Sequence, residues 1–160
     1  MRPIWSDLEH TRDASRLWRR SQQRFIGNVV GPHFEQVCRH WTRHLAPEDM
    51  FGDFPNHVGS GTVNDPTRKG SYEVDVVVFG LDDDNRRPLL AIGEVKWGET
   101  MGLGHLERLR RIRALLAAQG RPGAEKAKLT CYGAAGFSDE LVRVAEQNND
   151  IVLIGIEDLY

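Results

Sequence analysis

The chain has 160 residues, 40% of them hydrophobic and 28% charged, with a net charge of −2, enough apolar material for one domain with a core of its own. The near-neutral balance excludes a global electrostatic pull toward nucleic acid or membrane and leaves only local basic surface open. Cys38 and Cys131 stand far apart without metal-ligand spacing, which excludes a disulfide scaffold and fits a reducing cytoplasm; no apolar stretch reads as a membrane span or signal core.

Residues 1 to 30 are polar and basic, with scattered Trp5, Leu8, Leu17, Trp18, Phe25 and Ile26. They predict short helical pieces without a compact core. GPHFEQVCRHWTRHL (31–45) predicts a clearer helix: Phe34, Val37, Cys38, Trp41 and Leu45 make one apolar stripe, and Pro32 suits a first turn. Residues 46–71 are rich in Gly, Pro, Asn and Asp and predict mostly loop, with one short strand near Val58 to Val63. Within them VGSGTVND has glycines but neither the lysine nor the strand–helix setting of a phosphate loop, and reads as loop.

YEVDVVVFG (72–80) is a β-branched strand, LDDDNRRP supplies turn chemistry and LLAIGEVKW follows, which predicts an antiparallel hairpin. A helix is predicted over Leu103 to Gln119, with Leu106, Leu109, Ile112, Leu115 and Leu116 on one face and Gly120 and Pro122 ending it. LTCYG (129–133) is a strand, Ser138 caps a helix that buries Leu141, Val144 and Ala145, and IVLIGI (151–156) is a last buried strand. Strands and helices alternating in the second half predict parallel strands with helical crossovers, hence an α/β sandwich around a mixed sheet.

Two opposite charges, Glu94 and Lys96, interrupt the apolar run LLAIGEVKWGE. Strand alternation puts them on one face with Leu90 and Ile92, and Ala91, Gly93, Val95 and Trp97 on the other. In the neighbouring strand Asp75 shares a face with Glu73, Val77 and Phe79, opposite Val74, Val76 and Val78. Either the strand end emerges into solvent with Glu94 and Lys96 as a solvated pair, or the two carboxylates form an oxygen pocket suited to Mg²⁺. In the second case Lys96 stands where it stabilises phosphate charge or helps activate a water. Asp75 and Glu94 would repel each other in such a pocket when it is empty, so the site is predicted to be strained.

Asp75 followed by Glu94-x-Lys96 resembles the active-site signature of the PD-(D/E)xK nucleases, a superfamily that includes restriction endonucleases and archaeal Holliday-junction resolvases; Val74 stands where the motif has Pro. The resemblance implies a restriction-endonuclease-like αβββαβ sandwich with a central mixed sheet flanked by helices. It implies Asp75, Glu94 and the Val95 carbonyl as ligands of Mg²⁺ or Mn²⁺, Lys96 as the group that orients or activates the attacking water, and Glu35 of the first core helix as an assisting carboxylate. Glu35 also has Arg39 four residues on, the spacing of an ordinary helix-surface ion pair. GPHFEQVCRHW, EVDVVVFG, IGEVKWGE, GFSDEL and IGIEDLY together resemble the C-terminal nuclease-like domain of archaeal-type AAA+ ATPases. That implies a nuclease-like domain over 27–160, a helical linker over 1–26 and an ATPase module in the same parent chain. The implied function is metal-dependent phosphodiester hydrolysis of DNA, the alternative a catalytically weak docking or nucleic-acid-binding module of an ATPase.

Three features lie beside this constellation. Arg108, Arg110, Arg111 and Arg113 cluster on the helix after the motif, as a solvated face or as contacts to a DNA backbone. His40 and His44 have zinc-binding spacing but no evident further ligands, and read as a solvated helix face. No Ser-His-Asp or Cys-His arrangement is readable.

Overall fold

A computed structural model describes residues 14–160; the readings that rest on Trp5, Leu8 and the rest of 1–13 lie outside the described residues. The elements in chain order are α1 (Ala14–Phe25), a wider π-helical turn (Ile26–Val30), α2 (Gly31–His44), β1 (His57–Asp65), β2 (Gly70–Phe79), β3 (Leu89–Lys96), α3 (Leu103–Ala118), a 3₁₀ turn (Ala124–Lys126), β4 (Lys128–Gly133), α4 (Asp139–Gln147), β5 (Ile151–Gly155) and α5 (Ile156–Leu159). The five strands form one mixed sheet in sequence order. β1–β2 and β2–β3 pair antiparallel, as hairpin chemistry dictates; β3–β4 and β4–β5 pair parallel, with α3 and α4 as the crossovers. The protein is thus α/β, with a five-stranded mixed sheet flanked by helices. Among the described residues no helix is long and apolar enough to cross a membrane.

Two apolar layers hold the sheet. On one face, Phe34, Cys38 and Trp41 of α2 pack on Val76, Val78, Ala91, Val95, Tyr132 and Ile154. On the other, Leu106, Leu109 and Ile112 of α3 and Leu141 of α4 pack on Val74, Ile92, Leu129 and Cys131. The helix ends follow local chemistry. Gly120, at φ +78°, lets α3 close with Gly120 N–H donating to Ala117 O and Arg121 N–H to Leu116 O, both at 3.0 Å. Ser138 Oγ caps α4 by accepting from Leu141 N–H at 3.2 Å.

Four expectations change. β1 is a nine-residue edge strand, longer than the short strand predicted near Val58 to Val63 and covering VGSGTVND, which reads as loop; pairing along β2 overrides the poor strand preference of its glycines and Asn64. α2 ends at His44, so Leu45 is exposed rather than part of the stripe, and Thr42 takes an interior place by donating to Cys38 O at 2.8 Å and bonding the Tyr132 hydroxyl at 2.7 Å. Leu90 packs with the α2 layer, not with Ile92, because the β2–β3 register shifts between Val78 and Phe79. Val74 joins the α3 layer while Val76 and Val78 join the α2 layer. The cause is a β-bulge. Gly59 pairs with Val77 and Gly61 with Val74, so Ser60 alone stands opposite Asp75 and Val76. A bulge of this kind reverses the faces beyond it and re-aims the residues within it.

Candidate functional site

The bulge falls on Asp75, and the consequence is local opening of the sheet. The β2–β3 ladder ends at Val76–Gly93. One residue further, Asp75 has no register partner on β3: its carbonyl accepts from Arg39 Nη1 on α2 at 2.9 Å, and its carboxylate Oδ2 accepts from Val95 N–H at 2.9 Å. The Asp75 side chain therefore lies between the two strands rather than standing off either face. The N–H and C=O of one residue leave an extended strand along the same edge. Since Lys96 O turns toward β4, where it accepts from Ala134 N–H at 3.1 Å, the Val95 carbonyl faces the gap beside Asp75.

Glu94 sits on the α3 side of β3 and is 6% exposed. Its Oε1 is 3.5 Å from Lys96 Nζ and 3.8 Å from Arg108 Nη1. Its Oε2 is buried without a hydrogen-bond partner. Gly93, immediately before it, is dictated by packing: a Cβ there would collide with Thr130 Oγ1 and lie 2.8 Å from the Tyr132 ring. The sequence Gly-Glu-Val-Lys thus combines close approach to β4 with a charged pair at the end of the strand.

Glu35 lies on α2, across the sheet from Glu94. Its Oε2 is 3.7 Å from Arg39 Nη1. Burial pushes its carboxyl pKa up and the Asp75 charge adds to the rise, against the opposing pull of Arg39. Asp75 thus acts on Glu35 as a like charge, while Glu94 is faced by two cations. The structure brings Asp75 against the Glu94–Val95 backbone and into the field of Glu35; Lys96 joins Glu94 on the α3 side.

Three partners escaped the sequence. Arg39 fixes Asp75 O as well as pairing with Glu35, whereas its i,i+4 spacing alone reads as a surface pair. Glu99 Oε1 is 3.7 Å from Lys96 Nζ and 3.6 Å from His105 Nε2. His105 Nδ1 accepts from Gly102 N–H at 3.0 Å, so the ring proton sits on Nε2, toward Glu99. These contacts cross the turn between β3 and α3, where no periodicity signals them.

The other candidates are surface pairs, exposed side chains or buried thiols. Of the arginines on α3, Arg108 donates to Glu73 O at 2.9 Å, Arg110 pairs with Glu107 at 2.8 Å and Arg113 with Asp150 at 2.7 Å; Arg111 is exposed. His40 and His44 lie side by side, ring centroids 4.7 Å apart, on an exposed flank of α2. Burial pushes the thiols of Cys38 and Cys131 up to about 12, which makes them inert. Among the described residues no three His, Cys, Asp or Glu side chains form a ready-made metal cluster. Mg²⁺ needs fewer, being held by one or two carboxylates with several waters. The unpartnered, buried Glu94 Oε2 and the Val95 carbonyl edge fit such an ion.

Comparison with protein-family models, with curated proteins and with solved structures returns no match.

Proposed function

We propose that the chain is a metal-dependent phosphodiester hydrolase acting on DNA, of restriction-endonuclease-like fold, and that it serves as the C-terminal domain of a larger AAA+ ATPase. The observation that carries this reading is the opening of the sheet at one bulge, with Asp75 and the Val95 carbonyl in the gap and the buried, half-unpartnered Glu94 beside it. A stable strand gains nothing from a bulge with a carboxylate at its centre, next to a carboxylate oxygen sealed from water without a donor.

Asp75, Glu94 and the Val95 carbonyl would hold Mg²⁺ or Mn²⁺. That ion, when bound, supplies Lewis-acid charge at the phosphoryl oxygens. The chain's own groups do the rest. Lys96 Nζ stands 3.5 Å from Glu94 Oε1, where an ammonium orients an attacking water and offsets charge developing on the phosphate. Arg39, donating to Asp75 O, keeps the bulged strand in place. Glu35, its pKa raised by burial and by Asp75, is suited to holding or moving a proton at the α2 side of the gap.

A second reading, a catalytically weak docking module for an ATPase, is favoured by the Lys96 and Arg108 cations already facing Glu94 Oε1. Calorimetric titration with Mg²⁺ and Mn²⁺, paired with a cleavage screen on plasmid, single-stranded and junction DNA in Mn²⁺, separates the two. The nuclease reading expects Asp75→Ala to lose metal binding and cleavage together. It expects Lys96→Ala to keep the metal and lose cleavage by at least about 10²-fold. A wild type that neither binds metal nor cleaves ends the catalytic assignment.

A further inference from the structure

The proposed substrate is a polyanion, and the arginines of α3 are largely committed to the protein's own acceptors: Arg108 to Glu94 and Glu73 O, Arg110 to Glu107, Arg113 to Asp150 and Ala127 O. The opposite holds on α1. Its sequence, ASRLWRRSQQRF, contains four arginines and no carboxylate, and the first carboxylate after Ala14 is Glu35. Arg19, Arg20 and Arg24 are exposed, and among the described residues none has a carboxylate partner. In a chain whose net charge is −2, this is a local cationic face with no counter-charge among the described residues.

Its position gives the face a use. α1, the π-helical turn and α2 follow one another without a break, so α1 leads directly into the helix that carries Glu35 and Arg39 beside Asp75. At about 1.5 Å per residue, Arg24 stands about 16 Å and Arg19 about 24 Å along the helix from Glu35, a reach of roughly five to seven base pairs at 3.4 Å each. Arginines spaced along such an arm meet phosphates flanking the bond to be cut.

We propose that α1 is a phosphate-binding arm that holds duplex DNA alongside the candidate site, through Arg19, Arg20 and Arg24. The proposal rests on the nucleic-acid reading above and moves the backbone contact from α3 to α1. Helical spacing sets Arg20 and Arg24 roughly opposite Trp18 and Phe25, which are also exposed. A helix lying in a lipid interface uses both of those faces at once; the DNA backbone needs only the cationic one.

The test is fluorescence anisotropy of a labelled duplex, titrated with the full chain in EDTA over a range of salt, with anionic phosphatidylserine vesicles as a parallel arm. Replacing Arg19, Arg20 and Arg24 together by Gln keeps helix propensity, and circular dichroism checks that helix content is unchanged. The expected result is at least about a tenfold loss of affinity and a salt slope shallower by up to about 2.7, at 0.9 per phosphate contact. The control pair Arg110→Gln and Arg111→Gln changes little. Equal affinity and slope for the triple variant and the wild type overturn the proposal, as does a wild type that binds the vesicles but not the duplex. If the wild type binds DNA through α1 yet does not cleave, hydrolysis fails and the arm stands. If it cleaves and the triple variant binds normally, the arm fails and hydrolysis stands.

Discussion

Glu35 carries the residue-scale conflict of the site. Its pKa is raised above its ordinary value of 4.5 by burial and by the Asp75 charge, so the folded chain holds this proton more tightly than the unfolded one. Stability therefore falls as pH rises from the ordinary value through the raised one. Glu35→Gln removes that loss: melting curves should show the variant gaining on the wild type from about pH 4 upward, with no difference in gap between pH 3 and 4. A gap independent of pH would place the strain elsewhere. Gly93 makes the complementary case, in which packing rather than charge decides. A Cβ there meets Thr130 Oγ1 and the Tyr132 ring, and Gly93→Ala should cost about 1–3 kcal/mol, seen as a fall of several degrees in Tm. The candidate residues Asp75, Glu94 and Lys96 stand out in the sequence because charge in an apolar strand is conspicuous. That Asp75 acts on Glu35 does not: it depends on a bulge set by pairing with β1, and spacing within β2 gives no sign of it.

At the scale of elements, a few polar ties hold each helix layer to the sheet, two of them away from the candidate site. α2 is joined to β4 by the buried Thr42–Tyr132 hydroxyl pair, 2.7 Å apart, with Thr42 also donating to Cys38 O. Thr42→Val keeps the shape and strands the Tyr132 hydroxyl, at a cost of about 1–3 kcal/mol; chemical denaturation should show a lower midpoint with an unchanged m value. α3 is tied to the start of β5 by Arg113, which donates to Asp150 at 2.7 Å and to Ala127 O at 3.0 Å. Burial alone would raise the Asp150 pKa, but the Arg113 hydrogen bond and charge outweigh it and hold it below its ordinary 3.8. A lowered carboxylate stabilises the fold above its unfolded value and loses that contribution as pH falls through the folded one. The Tm difference between wild type and Arg113→Met should accordingly narrow below about pH 4. Apolar periodicity makes α2, α3 and the strands of the hairpin readable in the sequence. β1 is only partly readable, as a short strand near Val58 to Val63, because an edge strand of Gly, Ser, Thr and Asn carries little pattern until a partner orders it.

For the whole molecule, what matters is how the candidate site is balanced against the fold around it. Among the described residues the buried core runs from Phe34 to Leu159, with contributions from α2, the five strands and α3 to α5; the α/β order of these elements follows from the sequence alone, whereas the gap between β2 and β3 follows from their assembly. That gap holds Asp75, its carboxylate hydrogen-bonded to a strand N–H; Glu94, with one oxygen unpartnered, lies on the α3 side of the sheet, and Glu35, with a raised pKa, on α2 across it. Glu94 nevertheless has Lys96 and Arg108 within 3.8 Å, so neutralising it strands two cations beside each other. Glu94→Gln should therefore lower the Tm of the metal-free protein, while Asp75→Asn, which keeps an oxygen for Val95 N–H and relieves Glu35, should leave it unchanged or raise it. A ligand that binds only the folded state stabilises by about 2.7 kcal/mol at a hundred times its Kd. At such concentrations Mg²⁺ or Mn²⁺ should raise the wild-type Tm by about 5 to 10 °C and leave the Asp75→Asn/Glu94→Gln double variant where it was. Differential scanning fluorimetry with and without each ion reads both effects together. An equal rise in wild type and double variant would locate the ion elsewhere on the chain, and the absence of a rise in either would leave Asp75 and Glu94 as structural carboxylates.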